Sequence, residues 1–168
     1  MNAAVWIACA ISSACALPRT DPPTTVPADT LRGTVSVVGS EPGTGVAIRT
    51  LDGRAFTLLG ERPLLDRLAG LEVTVWGEAG PLQASLPREA FRVSRFAVRT
   101  ADGLPAVDGI LETSAGGSRL VKADGSRVRL RSLPAALEHA AGGRVWLVLD
   151  TERRIMTYGI IEMASPGH

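Results

Sequence analysis

The chain repeats itself, and that constrains its fold more than any other feature. Laying residues 51–77 over 123–149, a shift of 72 without a gap, matches Asp52-Gly53 with Asp124-Gly125, Leu58 with Leu130 and Leu65 with Leu137. The same alignment brings Ala69-Gly70 onto Ala141-Gly142 and Val73 onto Val145, giving seven identities in 27 positions. All seven fall at turn, core or helix-end positions. Upstream, Leu31-Arg32-Gly33-Thr34-Val35 parallels Val107-Asp108-Gly109-Ile110-Leu111 at a shift of 76. A chain of 168 residues built in this way reads as two small units, since barrels of about 60 to 80 residues are sufficient.

Each copy reads strand, strand, turn, strand, short helix, strand, strand. In the first, the strands are Leu31 to Gly39, Gly45 to Thr50, Arg54 to Leu59, Glu72 to Glu78 and Phe91 to Arg99, with a helix at Pro63 to Ala69. In the second they are Ala106 to Thr113, Ser118 to Lys122, Arg127 to Ser132, Arg144 to Asp150 and Ile155 to Glu162, with a helix at Pro134 to Ala141. The hairpin register follows from side-chain alternation. A three-residue loop, Leu51-Asp52-Gly53, with Gly53 left-handed in a G1 bulge, sets Ile48 opposite Phe56 and Val46 opposite Leu58 on one apolar face. A two-residue Asp-Gly turn sets Ile48 against Thr57 and breaks that face. The same loop at Ala123-Asp124-Gly125 sets Leu120 opposite Val128. Each helix has Pro in its first turn and Gly just past its end. Helices this short form only as plugs against a sheet, with Leu65 and Leu68 facing in, and Leu137 and Ala141 in the second copy.

Five strands with a helix between the third and fourth resemble the OB fold, and Gly33 and Gly109 suit a first strand that bends sharply. The resemblance is to small OB-like repeats of bacterial exported and lipid-anchored proteins. It spans about Leu31 to Glu162 and rests on four short motifs: the G-[TI]-[VL] opening, the L-D-G or A-D-G hairpin, the L-x-x-x-A-G helix end and the [VL]-rich strand after it. It implies an all-β fold with two short helices, as two tandem small five-stranded OB-like β-barrels at 31–101 and 102–163. It implies architecture and not chemistry.

Ahead of the repeat, the apolar run Ala3 to Ala10 followed by Ser12, Ser13 and Ala14 has the layout of a signal peptide over residues 1–15, too short to span a bilayer stably. Ile11-Ser12-Ser13-Ala14-Cys15 resembles a bacterial lipobox, which makes Cys15 the lipidation site and implies an outer-membrane lipoprotein facing the periplasm. The alternative is cleavage after Ala14-Cys15-Ala16, which yields a soluble periplasmic protein. Residues 16–30 carry the prolines of LPRTDPPTTVPADT and read as an extended Pro-rich linker.

Composition narrows the chemistry. A net charge of +1, from 18 basic and 17 acidic residues, supplies no global field for a polyanion, and the export signal argues further against nucleic acid. Seventeen of the basic residues are Arg, with Lys122 the one Lys, which reads as coding bias. His139 and His168 stand apart from any Ser or Cys nucleophile, and Gly43-Thr44-Gly45 lacks the Lys of a phosphate loop. With Cys9 and Cys15 both in the leader, no metal or cofactor is expected; the four Asp-Gly pairs at Asp52, Asp102, Asp108 and Asp124 read mostly as turns rather than calcium ligands. Asp150 and Glu152 read as a solvated turn, and Trp76, Trp146, Tyr158, Phe91 and Phe96 as core. The chain is expected not to be an enzyme.

One surface feature stands out. In the hairpin register above, Arg119 lies opposite Arg129 on the outward face of the second copy, and Arg127 and Arg131 share that face. Like charges across a strand pair are unfavourable, so either carboxylates such as Glu112 offset them or an anionic partner does. The first copy has Ala47, Ala55 and Thr57 at comparable positions. These readings lead to a non-enzymatic cell-envelope binding or scaffolding module that contacts an envelope protein or polymer. The alternative is a small-ligand or oligosaccharide-binding periplasmic protein that presents Trp146 or Tyr158.

Overall fold

The computed structural model describes residues 29–40, 44–80 and 88–164. The signal peptide, Cys15 and most of the Pro-rich linker therefore lie outside the described residues, as do Gly43 and His168. Among the described residues the fold is mostly β, with ten strands and two short helices. Its strands are β1 (Asp29–Val38), β2 (Gly45–Thr50), β3 (Ala55–Leu59), β4 (Leu71–Ala79), β5 (Glu89–Ala101), β6 (Leu104–Ser114), β7 (Gly117–Val121), β8 (Arg127–Arg129), β9 (Arg144–Leu149) and β10 (Ile155–Glu162). Helix α1 (Arg62–Asp66) lies between β3 and β4, and α2 (Ala135–Glu138) between β8 and β9. The strand order matches that read from the sequence. β1 starts inside the expected linker, with Asp29 and Thr30 already paired to Gly77 and Trp76.

The strands join into one predominantly antiparallel hydrogen-bonded network. In the first half, β1 pairs with β2 and with β4, β2 with β3, β4 with β5, and β3 with β5 in parallel over Phe56–Leu59 and Glu89–Arg92. Within this half each of the five strands thus has two partners. The parallel stretch explains why β5 begins at Glu89, before the expected Phe91: those extra residues are held by β3. In the second half, β6 pairs with β7 and β9, β7 with β8, and β9 with β10. Among the described residues no pairing joins β8 to β10, so the seam closed in the first half stays open here. β8 accordingly ends at Arg129 and does not reach the expected Ser132.

Register repeats in detail. Ile48 pairs with Phe56, and Leu120 with Val128, as the three-residue loops require. Gly53 and Gly125 adopt φ of 86° and 78°, the left-handed conformation that glycine reaches without Cβ strain. Both helix-end glycines return to the first strand of their half: Gly70 N–H donates to Val35 O at 2.9 Å, and Gly142 N–H to Leu111 O at 2.7 Å. β4–β5 shifts register between Glu72 and Val73 and again between Trp76 and Gly77. β9–β10 shifts at the corresponding places, beside Ile160 and beside Ile155.

Leu65, Leu68 and Leu137 are fully buried, as expected of plugging helices. Ala141 is not. It is exposed, and Ala140 faces in instead, because the chain leaves α2 through the tight bond Ala140 N–H to Leu137 O at 3.0 Å, one residue shorter than an α-turn. A Cβ at Gly33 would strike the Arg49 carbonyl, and one at Gly109 the Val121 carbonyl, so both glycines are needed where the opening strand passes close to its neighbour.

The halves meet through the β5–β6 hairpin, whose turn residues Asp102 and Gly103 have φ of 51° and 76°, the two left-handed positions of a type I′ turn. One apolar cluster centres on Ile48, Phe56, Val75 and Phe91 and takes in Ala106, Val148 and Ile161 from the second half. The other gathers Leu111, Leu120, Leu137, Val145 and Leu147. Asp108 ties the junction. Its Oδ1 accepts from Val98 N–H of β5 at 2.8 Å and its Oδ2 from Arg144 Nε at 2.9 Å, while Arg144 also donates to Phe96 O and lies 4.0 Å from the centre of the Phe96 ring.

Candidate functional site

The arginine ridge forms on the β7–β8 hairpin in the expected register. The pairing sets Arg119 directly across from Arg129, with Arg127 at the other end of β8 and Arg131 just beyond it. All four are exposed. Alternation explains this, since Leu120 and Leu130 point into the second core and leave their odd-numbered neighbours outside.

The ridge is partly neutralised. Arg119 Nε lies 2.5 Å from Glu112 Oε2, and Arg131 Nη1 lies 2.8 Å from Glu152 Oε2. Glu152 is shared with Arg154 at 3.3 Å, and Arg154 also holds Asp150 at 2.8 Å. Arg129 reaches, among the described residues, only a backbone carbonyl, that of Gly116, at 3.3 Å. Among the described residues neither Arg127 nor Arg129 has a carboxylate within ion-pairing distance. Arg119, Arg127, Arg129, Arg131 and Arg154, five guanidinium groups, against the three carboxylates Glu112, Asp150 and Glu152 leave this surface cationic on a chain whose net charge is +1.

Two clefts adjoin the ridge. One, of about 390 Å³, is lined by Gly117, Arg129, Leu130, Arg131, Glu152 and Arg153. The other, of about 240 Å³, lies under the β6–β7 hairpin tip at Ser114 and Gly116 and carries Arg119, Arg127 and Arg129 on its wall. Sequence patterning misses Arg153. It is the third residue of the loop Thr151-Glu152-Arg153, closed by Arg153 N–H to Asp150 O and Asp150 N–H to Arg154 O, both 3.0 Å. This is the three-residue loop used at Gly53 and Gly125, yet here the left-handed position, φ 64°, is filled by Arg. The signal available is spacing: Arg153 stands three residues after Asp150, between two strands.

Asp150 and Glu152 are tied by these bonds. Bonds from Arg154, first through its side chain and then through its backbone N–H, hold the Asp150 carboxyl below the usual carboxylate range. Asp52 is lowered in the same direction, chiefly by the Thr50 hydroxyl, and Asp124 chiefly by Ser126. Arg62 donates to both the carbonyl and the hydroxyl of Thr44, so Thr44 serves to anchor α1.

Of the aromatic residues, Phe91 and Phe96 are buried. Trp146 is half-buried, packs against the first core and lies over Gly159, whose missing Cβ leaves room for the ring. Tyr158 is half-buried against the second core. Neither ring is presented as a stacking platform. Trp76 is half-buried too, with the Arg95 guanidinium 4.3 Å from its centroid, on the wall of a junction cleft of about 360 Å³ that also carries Ile110, Lys122 and Arg144. Among the described residues no helix is long and apolar enough to cross a membrane. No protein-family model, curated protein or solved structure matches the chain.

Proposed function

We propose that the chain is a non-enzymatic cell-envelope binding module built from two tandem OB-type β-barrels, which meets an anionic partner through the ridge of Arg119, Arg127, Arg129 and Arg131. The observation that carries this reading is the pair Arg127 and Arg129: two adjacent exposed guanidinium groups with no carboxylate partner among the described residues, beside Arg119 and Arg131, which have one each. Repulsion of Arg129 by Arg119 across the strand pair, with Arg127 two residues away on the same face, favours an anion that bridges them. The OB-type architecture is supported by the two-partner pairing of every strand in the first half, the plug helices and the repeated register steps. The location is proposed from the leader, with Cys15 as the lipidated residue or, alternatively, a soluble periplasmic form.

Replacing Arg127 and Arg129 together by Ala is expected to weaken binding to heparin, polyglutamate and phosphatidylglycerol vesicles, and to flatten the salt dependence of whichever of them binds. Unchanged binding to all three would end the anion reading. Palmitate labelling lost only in Cys15→Ala would support the anchor. A second reading, a small-ligand or oligosaccharide binder, is favoured by the junction cleft with its Trp76–Arg95 stack. It predicts ligand-dependent quenching of Trp76 fluorescence that Trp76→Phe abolishes.

A further inference from the structure

The two halves differ most where the second lacks a strand segment. Pairing makes Val98 the counterpart of Ile160, because each faces the corresponding valine, Val73 or Val145. Phe96 then corresponds to Tyr158, and Val93, facing Gly77, to Ile155, facing Leu149. Continuing back one residue at a time, Glu89–Arg92 correspond to Thr151–Arg154. In the first half those four residues lie alongside β3 in parallel, with Phe91 fully buried against Phe56. In the second half the same four positions are spent on the β9–β10 turn. Among the described residues, what remains of the pairing is a single long bond, Arg131 N–H to Arg153 O at 3.4 Å, and the cleft of about 390 Å³ opens beside it.

Strand geometry says which groups this leaves free. Lys122 and Ser126 are hydrogen-bonded across the β7–β8 hairpin, and so are Leu130 and Ser118, at 2.9 and 3.0 Å. In an antiparallel pair the alternate residues, Arg127 and Arg129, turn their N–H and C=O to the opposite side. That side is the open seam. Of the four arginines of the ridge, these are the two whose guanidinium groups have no carboxylate partner among the described residues.

We propose that the β8 edge is a strand-addition site for an extended acidic peptide segment of a partner protein, lying beside Arg127–Leu130 and completing the second half as Glu89–Arg92 complete the first. This rests on the anion-binding reading of the ridge and deepens it by naming the partner's chemistry. The backbone of the segment would pair with the N–H and C=O groups of Arg127 and Arg129, the mode by which peptides join exposed sheet edges. Acidic side chains on its outer face would meet the two guanidinium groups, and apolar ones on its inner face would cover half-buried Val128. The first half offers an internal precedent, since its docked segment begins with Glu89, which pairs with Arg54 at 2.9 Å. A second copy of this chain is a poorer occupant, because β8 against β8 brings like charges together.

The test is fluorescence anisotropy on the wild-type protein with a labelled hexapeptide of alternating glutamate and valine, an analogue N-methylated at alternate residues, and heparin. Binding of the parent peptide, at least tenfold weaker for the N-methylated analogue and for Arg127→Ala/Arg129→Ala, is the expected result, with slowed amide exchange at Arg127 and Arg129 in the complex. Equal binding of parent and analogue overturns strand addition and leaves a plain anionic contact. Heparin binding without peptide binding overturns it likewise while the ridge reading stands. Binding of neither removes both.

Discussion

Asp108→Ala tests the junction most sharply. The Asp108 side chain is 7% exposed and Arg144, its partner, 22%. Removing the carboxylate strands two donors. Val98 N–H, in a buried strand, loses its acceptor at a cost of about 1–3 kcal/mol. Breaking a fully buried ion pair costs about 3–5 kcal/mol, but Arg144 keeps the Phe96 carbonyl and some water, so about 1–2 kcal/mol is the better figure. Together the expected loss is about 2–5 kcal/mol. In urea, with a slope of about 2 kcal/mol per molar, the midpoint falls by about 1–2.5 M at unchanged slope. Asp108→Ala/Arg144→Met, which leaves no stranded charge, should be more stable than Asp108→Ala alone. A loss below about 1 kcal/mol, or a double variant weaker by the sum of its parts, refutes the view that this pair locks β5 onto β6 and β9.

Four further outcomes rest on the geometry elsewhere in the fold. Arg153→Gly relieves a left-handed conformation costing about 1–2 kcal/mol, partly offset by the added freedom of the unfolded chain, so a net gain of about 0.5–1 kcal/mol is expected in thermal unfolding. Phe91→Ala should cost about 3–5 kcal/mol in the same measurement, because the ring is fully buried and seals the parallel seam. Gly109→Ala pushes a Cβ into the Val121 carbonyl and should cost about 1–3 kcal/mol, with loss of β6–β7 amide protection. Acid stability carries a defined sign: Asp52, Asp124 and Asp150 are depressed in the fold, so their contribution is present above the unfolded value of about 3.9 and is lost as pH falls through the lower folded values. Replacing all three by Asn should therefore flatten the acid limb of a stability–pH curve below about pH 4.

The residue order carries the parts of the fold that local rules determine. Asp-Gly at a fixed place between alternating strands sets the loop length, and the loop length sets Ile48 on Phe56 and Arg119 on Arg129, so the ridge is legible from alternation and turn chemistry alone. Where two rules compete, the pattern misleads. Ala141 follows Leu137 at the α-helical spacing, but a helix of one turn closes at three residues and buries Ala140. Asp108 looks like its three Asp-Gly neighbours, yet it sits inside β6 and finds Arg144 from 36 residues away. The open seam has a legible signal: residues 79–90 separate the last two expected strands of the first copy, against only 151–154 in the second. The pairing partner they imply is not readable, because the parallel contact of β3 with β5 depends on chain that leaves no alternation of its own.

Amide hydrogen exchange at two equivalent residues bears most directly on the asymmetry between the halves. Thr57 and Arg129 occupy the same place on β3 and β8, each with its backbone turned away from the preceding strand. The Thr57 amide, facing β5, should exchange slowly, and the Arg129 amide, facing the cleft, should exchange near the rate of an exposed peptide. Equal, strong protection at both would mean that the second half is closed like the first, leaving no edge for a partner to join.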